Sequence, residues 1–316
     1  MSKAILIVGA TGKQGGATLH ALAASADPST QLLAVTRDAS SASAQKLVAR
    51  YPKQVVLVQG NLDDTEALFA AAKKATSAPI WGVFSVQLPT FNKAGAETEE
   101  RQGKSLVDSS LRHGVSHFVY SSVDRHGPEL SPKNPTSVPH FVTKHNIEQH
   151  LIAATSTSTT TNDNNNKMTW TILRPVAFYE NLGGFQGKVF ATAWRDVVRS
   201  RPLQIISTED IGKVAAKALL PQNQARLAGR AISLVGDELT FAQFNKTFVD
   251  KTGHPAPTTF GFLARFVLWM VSELGVMYSW FDREGYGASV RETREVLPET
   301  KDFATWLEDQ KARKLL

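Results

Sequence analysis

The sequence predicts an α/β fold, a doubly wound parallel sheet followed by a smaller, mainly helical lobe. Three observations carry this. Near the start an apolar run stops in a glycine-rich turn and leads into a helical pattern. Apolar, β-branched runs then alternate with helix-patterned segments as far as Pro175, the arrangement that builds parallel sheets with helices on both faces. Beyond Pro175 the alternation fades and helical patterns rich in Phe, Trp and Leu take over.

The first run, Ala4 to Val8, ends in Gly9-Ala10-Thr11-Gly12-Lys13-Gln14-Gly15 before a helix over Gln14 to Ala24. A turn without side-chain bulk lets a pyrophosphate approach the backbone and rest on the helix's amino end, where free N–H groups and the helix dipole favour negative charge. The spacing is GxxGxxG, and the strand before and helix after are what a Rossmann-type dinucleotide cradle requires. Further strands are expected at Gln31 to Thr36, Val55 to Gln59, Ile80 to Val86, Val115 to Ser121 and Met168 to Leu173. Helices are expected at Ser41 to Tyr51, Asp63 to Thr76, Ala94 to His113 and His140 to Ala154, each with apolar positions at helical spacing.

Between the last two of these elements, Thr155 to Lys167 is a run of Ser, Thr, Asn and Asp with almost nothing to bury, and reads as a flexible surface insertion. After Pro175, Ser207-Thr208-Glu209-Asp210 followed by Ile211 to Leu220 has a helix-start signature, and Arg230 to Val235 reads as a strand. Helical patterns then cover Thr240 to Thr252, Phe260 to Phe281 and Asp302 to Lys314. Residues 1–175 are thus expected to form the nucleotide-binding domain and 176–316 a substrate or partner lobe, some of whose segments return to the main sheet.

Composition narrows the chemistry. With 42% hydrophobic and 20% charged residues the chain has the balance of a globular protein, and the absence of cysteine excludes disulfides, thiolate catalysis and cysteine-bound zinc. The net charge is +6, but lysines and arginines are scattered, so direct nucleic-acid binding is not expected. The apolar stretch Phe260 to Val271 is short and interrupted by Arg265, which suits a buried or partner-facing helix and no membrane span. The start reads as a first strand and not a signal peptide, so the default expectation is cytoplasmic and/or nuclear. No histidine has partners at metal-ligand spacing, so no metal is expected.

The second strand ends in Thr36-Arg37-Asp38, where a dinucleotide fold chooses its cofactor. A carboxylate there accepts from the ribose 2′-hydroxyl of NAD, whereas Arg37 offers a fork of donors suited to a 2′-phosphate, so NADP(H) is preferred over NAD(H). Asp38 follows at once and pulls the other way. After the third strand, Gly60-Asn61-Leu62-Asp63-Asp64 forms a turn in which Asn61 and Leu62 would flank the adenine while one acid starts the next helix. Phe84-Ser85-Val86-Gln87 would run beneath the ribose and nicotinamide.

Taken together, Gly9 to Gly16, Arg37, Gly60-Asn61-Leu62-Asp63, Gln102-Gly103-Lys104, His117 to Ser122, His140 to Lys144 and Leu173 to Asn181 resemble the NmrA-like family, an atypical branch of the short-chain dehydrogenase/reductase superfamily. The resemblance implies NADP bound at Gly9, Thr11, Gly12, Lys13, Gln14, Gly15 and Arg37, with Val86 and Lys144 near the nicotinamide ribose and Phe178 beside the nicotinamide. One departure bears on activity. The superfamily's reductases place a tyrosine four residues before the lysine as proton donor, and here that pair is His140 and Lys144. The spacing keeps both on one helical face, and histidine can itself move protons. Ser121 and Ser122 end the fifth strand near the position of the superfamily's catalytic serine.

An intact cradle beside a missing tyrosine favours a protein that binds NADP(H) and uses the cofactor's redox state to change its affinity for a partner. In the family this resembles redox-sensing regulators that act on transcription factors. The alternative is an NADPH-dependent oxidoreductase that reduces a carbonyl or activated double bond of a small organic substrate.

Overall fold

The computed structural model describes residues 3–88, 91–157 and 167–313. The first half runs β1 (Ala4–Ile7), α1 (Lys13–Ser25), β2 (Gln31–Thr36), α2 (Ala42–Arg50), β3 (Val55–Gln59), α3 (Thr65–Ala75), β4 (Ile80–Ser85), α4 (Lys93–Arg112), β5 (His117–Ser121), α5 (Pro139–Thr157) and β6 (Thr169–Pro175). Then come β7 (Ala177–Phe178), α6 (Gly184–Ala193), β8 (Leu203–Ile206), α7 (Thr208–Ala218), α8 (Gln224–Leu227), β9 (Arg230–Leu234) and β10 (Asp237–Leu239). Five helices close the chain: α9 (Phe241–Thr252), α10 (Gly261–Met270), α11 (Ser272–Arg283), α12 (Val290–Val296) and α13 (Phe303–Ala312).

The main sheet has seven strands in the order β3-β2-β1-β4-β5-β6-β9, and every pairing in it is parallel. Successive residues of a strand face opposite sides. In β1, Ile5 and Ile7 pack in one cluster with Leu19 of α1 and Ile211 and Val214 of α7, whereas Ala4 and Leu6 pack in the other with Leu68, Leu106 and Ile147 of α3, α4 and α5. Burial on both faces is why these strands read as continuous apolar runs. On the first face α1 and α7 nearly touch: a Cβ at Gly212 would lie 2.5 Å from the Ala17 carbonyl carbon.

A second sheet, β10-β8-β7, carries a separate aromatic core in which Trp194, Phe244, Phe303 and Trp280 pack together. Its strands are four residues long at most and were not expected, because runs this short carry no readable period. The other departures are local. The Phe260 to Phe281 stretch is two helices, bent by 114° at Val271, rather than one. Helix α5 continues to Thr157, so the first residues of the expected insertion are helical, and the Thr155 hydroxyl is satisfied by donating to the Leu151 carbonyl at 2.8 Å. The rest of that segment, residues 158–166, lies outside the described residues. The strand expected over Arg230 to Val235 is β9, which pairs with β6 in the main sheet. Among the described residues no single helix is long and apolar enough to cross a membrane.

His117, which opens β5, is fully buried with its ring nitrogens 2.8 Å from Thr169 Oγ1 and 3.2 Å from Thr171 Oγ1. Burial holds its pKa down at about 4, against an ordinary 6.5. The folded-state value is the lower one, so the neutral ring's contribution is complete above 6.5 and is lost as pH falls from there towards 4. That loss amounts to at most about 3 kcal/mol. Urea midpoints at pH 7 and pH 4.5 should therefore differ more for the wild type than for His117→Gln; equal differences would remove His117 as the source.

Candidate functional site

The order of the main sheet reverses between β1 and β4, and in open α/β sheets the crevice at such a point, beyond the carboxyl ends of the strands, is the ligand site. The glycine turn lies there. Gly9 has φ +66°, a left-handed conformation open to glycine, and its carbonyl accepts from the Gly12 N–H at 2.8 Å. A Cβ on Gly15 would fall 2.2 Å from that same carbonyl oxygen, and one on Gly9 would meet Val86 Cγ1 at 3.1 Å. The capping residue of α1 is Gly12, whose side chain supplies no cap, so the helix's first N–H groups have no side-chain acceptor there. The residues fit a pyrophosphate: a bare left-handed turn, an uncapped helix end and no acid in the first turn of α1.

Other residues of the turn tie it to its surroundings. Thr11 is exposed. Lys13 reaches the segment after β7, its ammonium donating to the Glu180 carbonyl at 2.9 Å. The Glu180 carboxylate accepts from the Thr208 N–H at the start of α7, and burial raises its pKa despite that bond. Gln14 Oε1 accepts from Ser121 Oγ at 2.6 Å, which joins the end of β5 to the cradle. Ser122 donates instead to buried Glu148. Both serines are thus held by protein partners.

At the end of β2, Arg37 is exposed and has no hydrogen bond or ion pair among the described residues. Asp38 is committed to its own turn: Oδ1 accepts from the Ser40 N–H at 2.8 Å and the Ser40 hydroxyl at 2.6 Å, and these bonds lower its pKa. After β3, Asn61 Oδ1 accepts from the Asp63 N–H at 2.8 Å, and Leu62 is buried in the core. Asp64 is the acid that caps α3, accepting from the Ala67 N–H at 2.9 Å.

His140 and Lys144, the pair expected to act on a substrate, each meet a buried acid. Lys144 is buried, with its ammonium 2.8 Å from Oε1 of buried Glu99 on α4. His140, on the first turn of α5, is 7% exposed, and its Nδ1 lies 2.5 Å from Oε1 of Glu273 on α11. Val86 and Phe178 are both half-buried against the same face of the core. Gln87 Oε1, Glu99 Oε2 and Tyr120 Oη are among the six buried side-chain polar atoms that have no partner among the described residues. Burial first, and then the Glu99 charge, push the Tyr120 hydroxyl's pKa well up, which keeps it neutral.

Glu99 and Glu273 were not visible as site residues. Glu99 sits in the acidic run Glu97-Thr98-Glu99-Glu100, where nothing marks one acid from another. Glu273 left a faint signal, a lone acid inside the otherwise apolar Phe260 to Phe281 stretch.

These features define a Rossmann-type α/β protein with a glycine cradle where the strand order reverses. The chain belongs to the NmrA-like family, whose model matches residues 1–308. An NmrA-like family domain-containing oxidoreductase of Aspergillus flavus, lnaB, is 33% identical over 123 residues, which is 38% of this chain and 34% of that relative. The chain therefore matches about a third of that relative's length. Among solved structures, the triphenylmethane reductase of Citrobacter sp., complexed with NADP(H), superposes with a TM-score of 0.71 at 15% identity, covering 100% of both chains. NmrA, a negative transcriptional regulator solved with NADP, superposes at 0.66 with 18% identity, covering 99% of this chain and 96% of its own. At these identities the two structures establish the fold.

Proposed function

We propose that this chain binds NADP(H) in the cradle, in preference to NAD(H), and uses it to reduce a small organic acceptor. The observation that carries this reading is the His140–Glu273 pair: the place of the absent tyrosine holds an imidazole that a carboxylate orients. The bound dinucleotide would supply hydride. The backbone from Gly9 to Gly15 would receive the pyrophosphate, Thr11, Lys13 and Gln14 would line it, and Arg37 would bind the 2′-phosphate. Asn61 and the Leu62 backbone would flank the adenine, and Val86 and Phe178 would wall the nicotinamide. Lys144, held by Glu99, would face the ribose hydroxyls, with the unpartnered oxygens of Gln87 and Glu99 as further acceptors. His140 would deliver a proton to the acceptor's oxygen. The oxidoreductase name of the Aspergillus flavus relative and the NADP(H) of the Citrobacter complex support this reading.

Calorimetric titration with NADP⁺, NADPH, NAD⁺ and NADH, followed by NADPH oxidation assays with quinones and aromatic aldehydes, tests it. Arg37→Ala should weaken NADPH by about 10- to 100-fold, the loss of a charge-assisted fork, while NADH changes by less than about threefold. Equal losses for both cofactors would sink the 2′-phosphate assignment.

A second reading, a cofactor-dependent regulator that binds a protein partner such as a transcription factor, is favoured by α10 and its flank. Phe260, Phe262, Phe266, Trp269 and Met270 are all more than half exposed there, an apolar face of the kind that marks partner surfaces. Tight NADPH binding without oxidation by any acceptor, combined with a strong preference for one redox state, would select this reading over the first.

A further inference from the structure

We infer that Glu273 is a positioning residue that sets which nitrogen of His140 carries the transferable proton: Nδ1 stays bonded to Glu273, and Nε2 is the working atom. Resting on the reductase reading, this assigns both the atom and the residue that orients it.

One carboxylate oxygen makes two contacts with the same residue, at 2.5 Å from His140 Nδ1 and 3.1 Å from the His140 backbone nitrogen. The backbone contact places the carboxylate at the amino end of α5, where its Oε1 already accepts from the His140 N–H. An ionised carboxylate only accepts, so in the neutral ring the proton bonded to Glu273 is on Nδ1 and the lone pair is on Nε2. The hydrogen bonds of His140 among the described residues run through its backbone and Nδ1, none through Nε2. Two rings hold the imidazole edge-on, Phe91 at 5.5 Å and Phe141 at 4.7 Å between centroids. Glu273 is 6% exposed, so water competes little for its oxygen.

In a carbonyl reduction His140 would give the Nε2 proton of its imidazolium to the acceptor oxygen, the N–H bond breaking as the O–H bond forms, while the hydride for the carbonyl carbon would come from bound NADPH, oxidised to NADP⁺. The imidazole ends neutral, still donating from Nδ1 to Glu273, and regains its Nε2 proton from solvent. A backbone cap alone would not need the ring contact. The same carboxylate therefore fixes the helix end and the ring with one group.

Nitrogen-15 NMR of the full chain, with His140 assigned through His140→Gln, reads the tautomer directly and needs no substrate. Free imidazole favours the Nε2–H form, so an Nδ1–H neutral ring in the wild type, lost in Glu273→Gln and kept in Glu273→Asp, is the expected result. With NADPH and 4-nitrobenzaldehyde, kcat should fall at least about 100-fold in Glu273→Gln while the KM for NADPH moves less than about threefold, and Glu273→Asp should recover part of the rate. An Nε2–H ring in the wild type, or a tautomer and kcat unchanged in Glu273→Gln, would overturn the assignment. Wild-type protein that binds NADPH and reduces no acceptor, with the Nδ1–H ring still lost in Glu273→Gln, would overturn the reductase reading and leave the orientation by Glu273 standing.

Discussion

Alanine at Gly15 is expected to abolish NADPH binding. Its Cβ would lie 2.2 Å from the Gly9 carbonyl oxygen, 2.4 Å from the Gly9 carbonyl carbon and 2.5 Å from the Val8 carbonyl oxygen. All three are backbone atoms, so no side chain can swing away, and the turn itself has to open. Opening it moves the N–H groups of α1 away from the crevice, because Gly9 is fixed between the end of β1 and the Gly12 bond. We expect at least a 100-fold rise in the Kd for NADPH, roughly 2.7 kcal/mol, together with about 1–3 kcal/mol of lost stability from overpacking. Gly12→Ala is the graded control: its nearest contact, again the Gly9 oxygen, is at 3.2 Å, which a shift of a few tenths of an ångström relieves. Calorimetry on both variants, with urea unfolding in parallel, separates lost binding from lost fold. Folded Gly15→Ala that binds NADPH within about threefold of wild type would show that the anion does not rest on this turn.

Glu148→Gln is expected to be the most damaging change to stability. The Glu148 carboxylate is fully buried on α5 and is shared by two buried guanidinium groups: Arg125 at 2.9 Å, and Arg174 through Nη2 at 2.7 Å and Nε at 3.1 Å. An amide of the same shape removes the only negative charge these bonds give the two arginines. Breaking such a pair from one side costs about 3–5 kcal/mol, because the remaining charge stays buried and uncompensated. Burial works to raise the pKa of Glu148, but the charges of Arg125 and Arg174 and their bonds outweigh it, so the value falls below the ordinary 4.5. The folded-state value is therefore the lower one. Its contribution is present above about 4.5 and is lost as pH falls through the folded value, so the gap between wild type and variant should narrow in acid. Urea midpoints at pH 7 and pH 3.5 measure this; a variant as stable as wild type at pH 7 would show that the pair does not hold α5 to the sheet.

Much of the fold was legible because burial on both faces writes strands as apolar runs, and β2 and β3 begin and end where the runs do. The cradle was legible for the same local reason: a glycine turn between strand and helix is contiguous in the chain. His140 and Lys144 were legible as a pair, since four residues along a helix share a face. Their partners were not. Glu99 lies 45 residues before Lys144, and Glu273 lies 133 residues after His140. Nothing in either acid's neighbours announces which cation it will meet. The second sheet was hidden for a different reason, since β7 and β10 are two and three residues long and exist only because β8 lies between them.

By itself, then, the sequence determined the doubly wound sheet and the glycine turn between β1 and α1, both of which depend on periodicity or on residues a few positions apart. The tertiary structure alone decided that Asp38 is spent on Ser40, that Lys144 is held by Glu99, and that the histidine in the tyrosine's place has a carboxylate behind it. The physical reason is range. Backbone pattern follows from neighbours along the chain, whereas the charge state and orientation of a buried side chain depend on whichever distant group the packing brings within hydrogen-bonding distance.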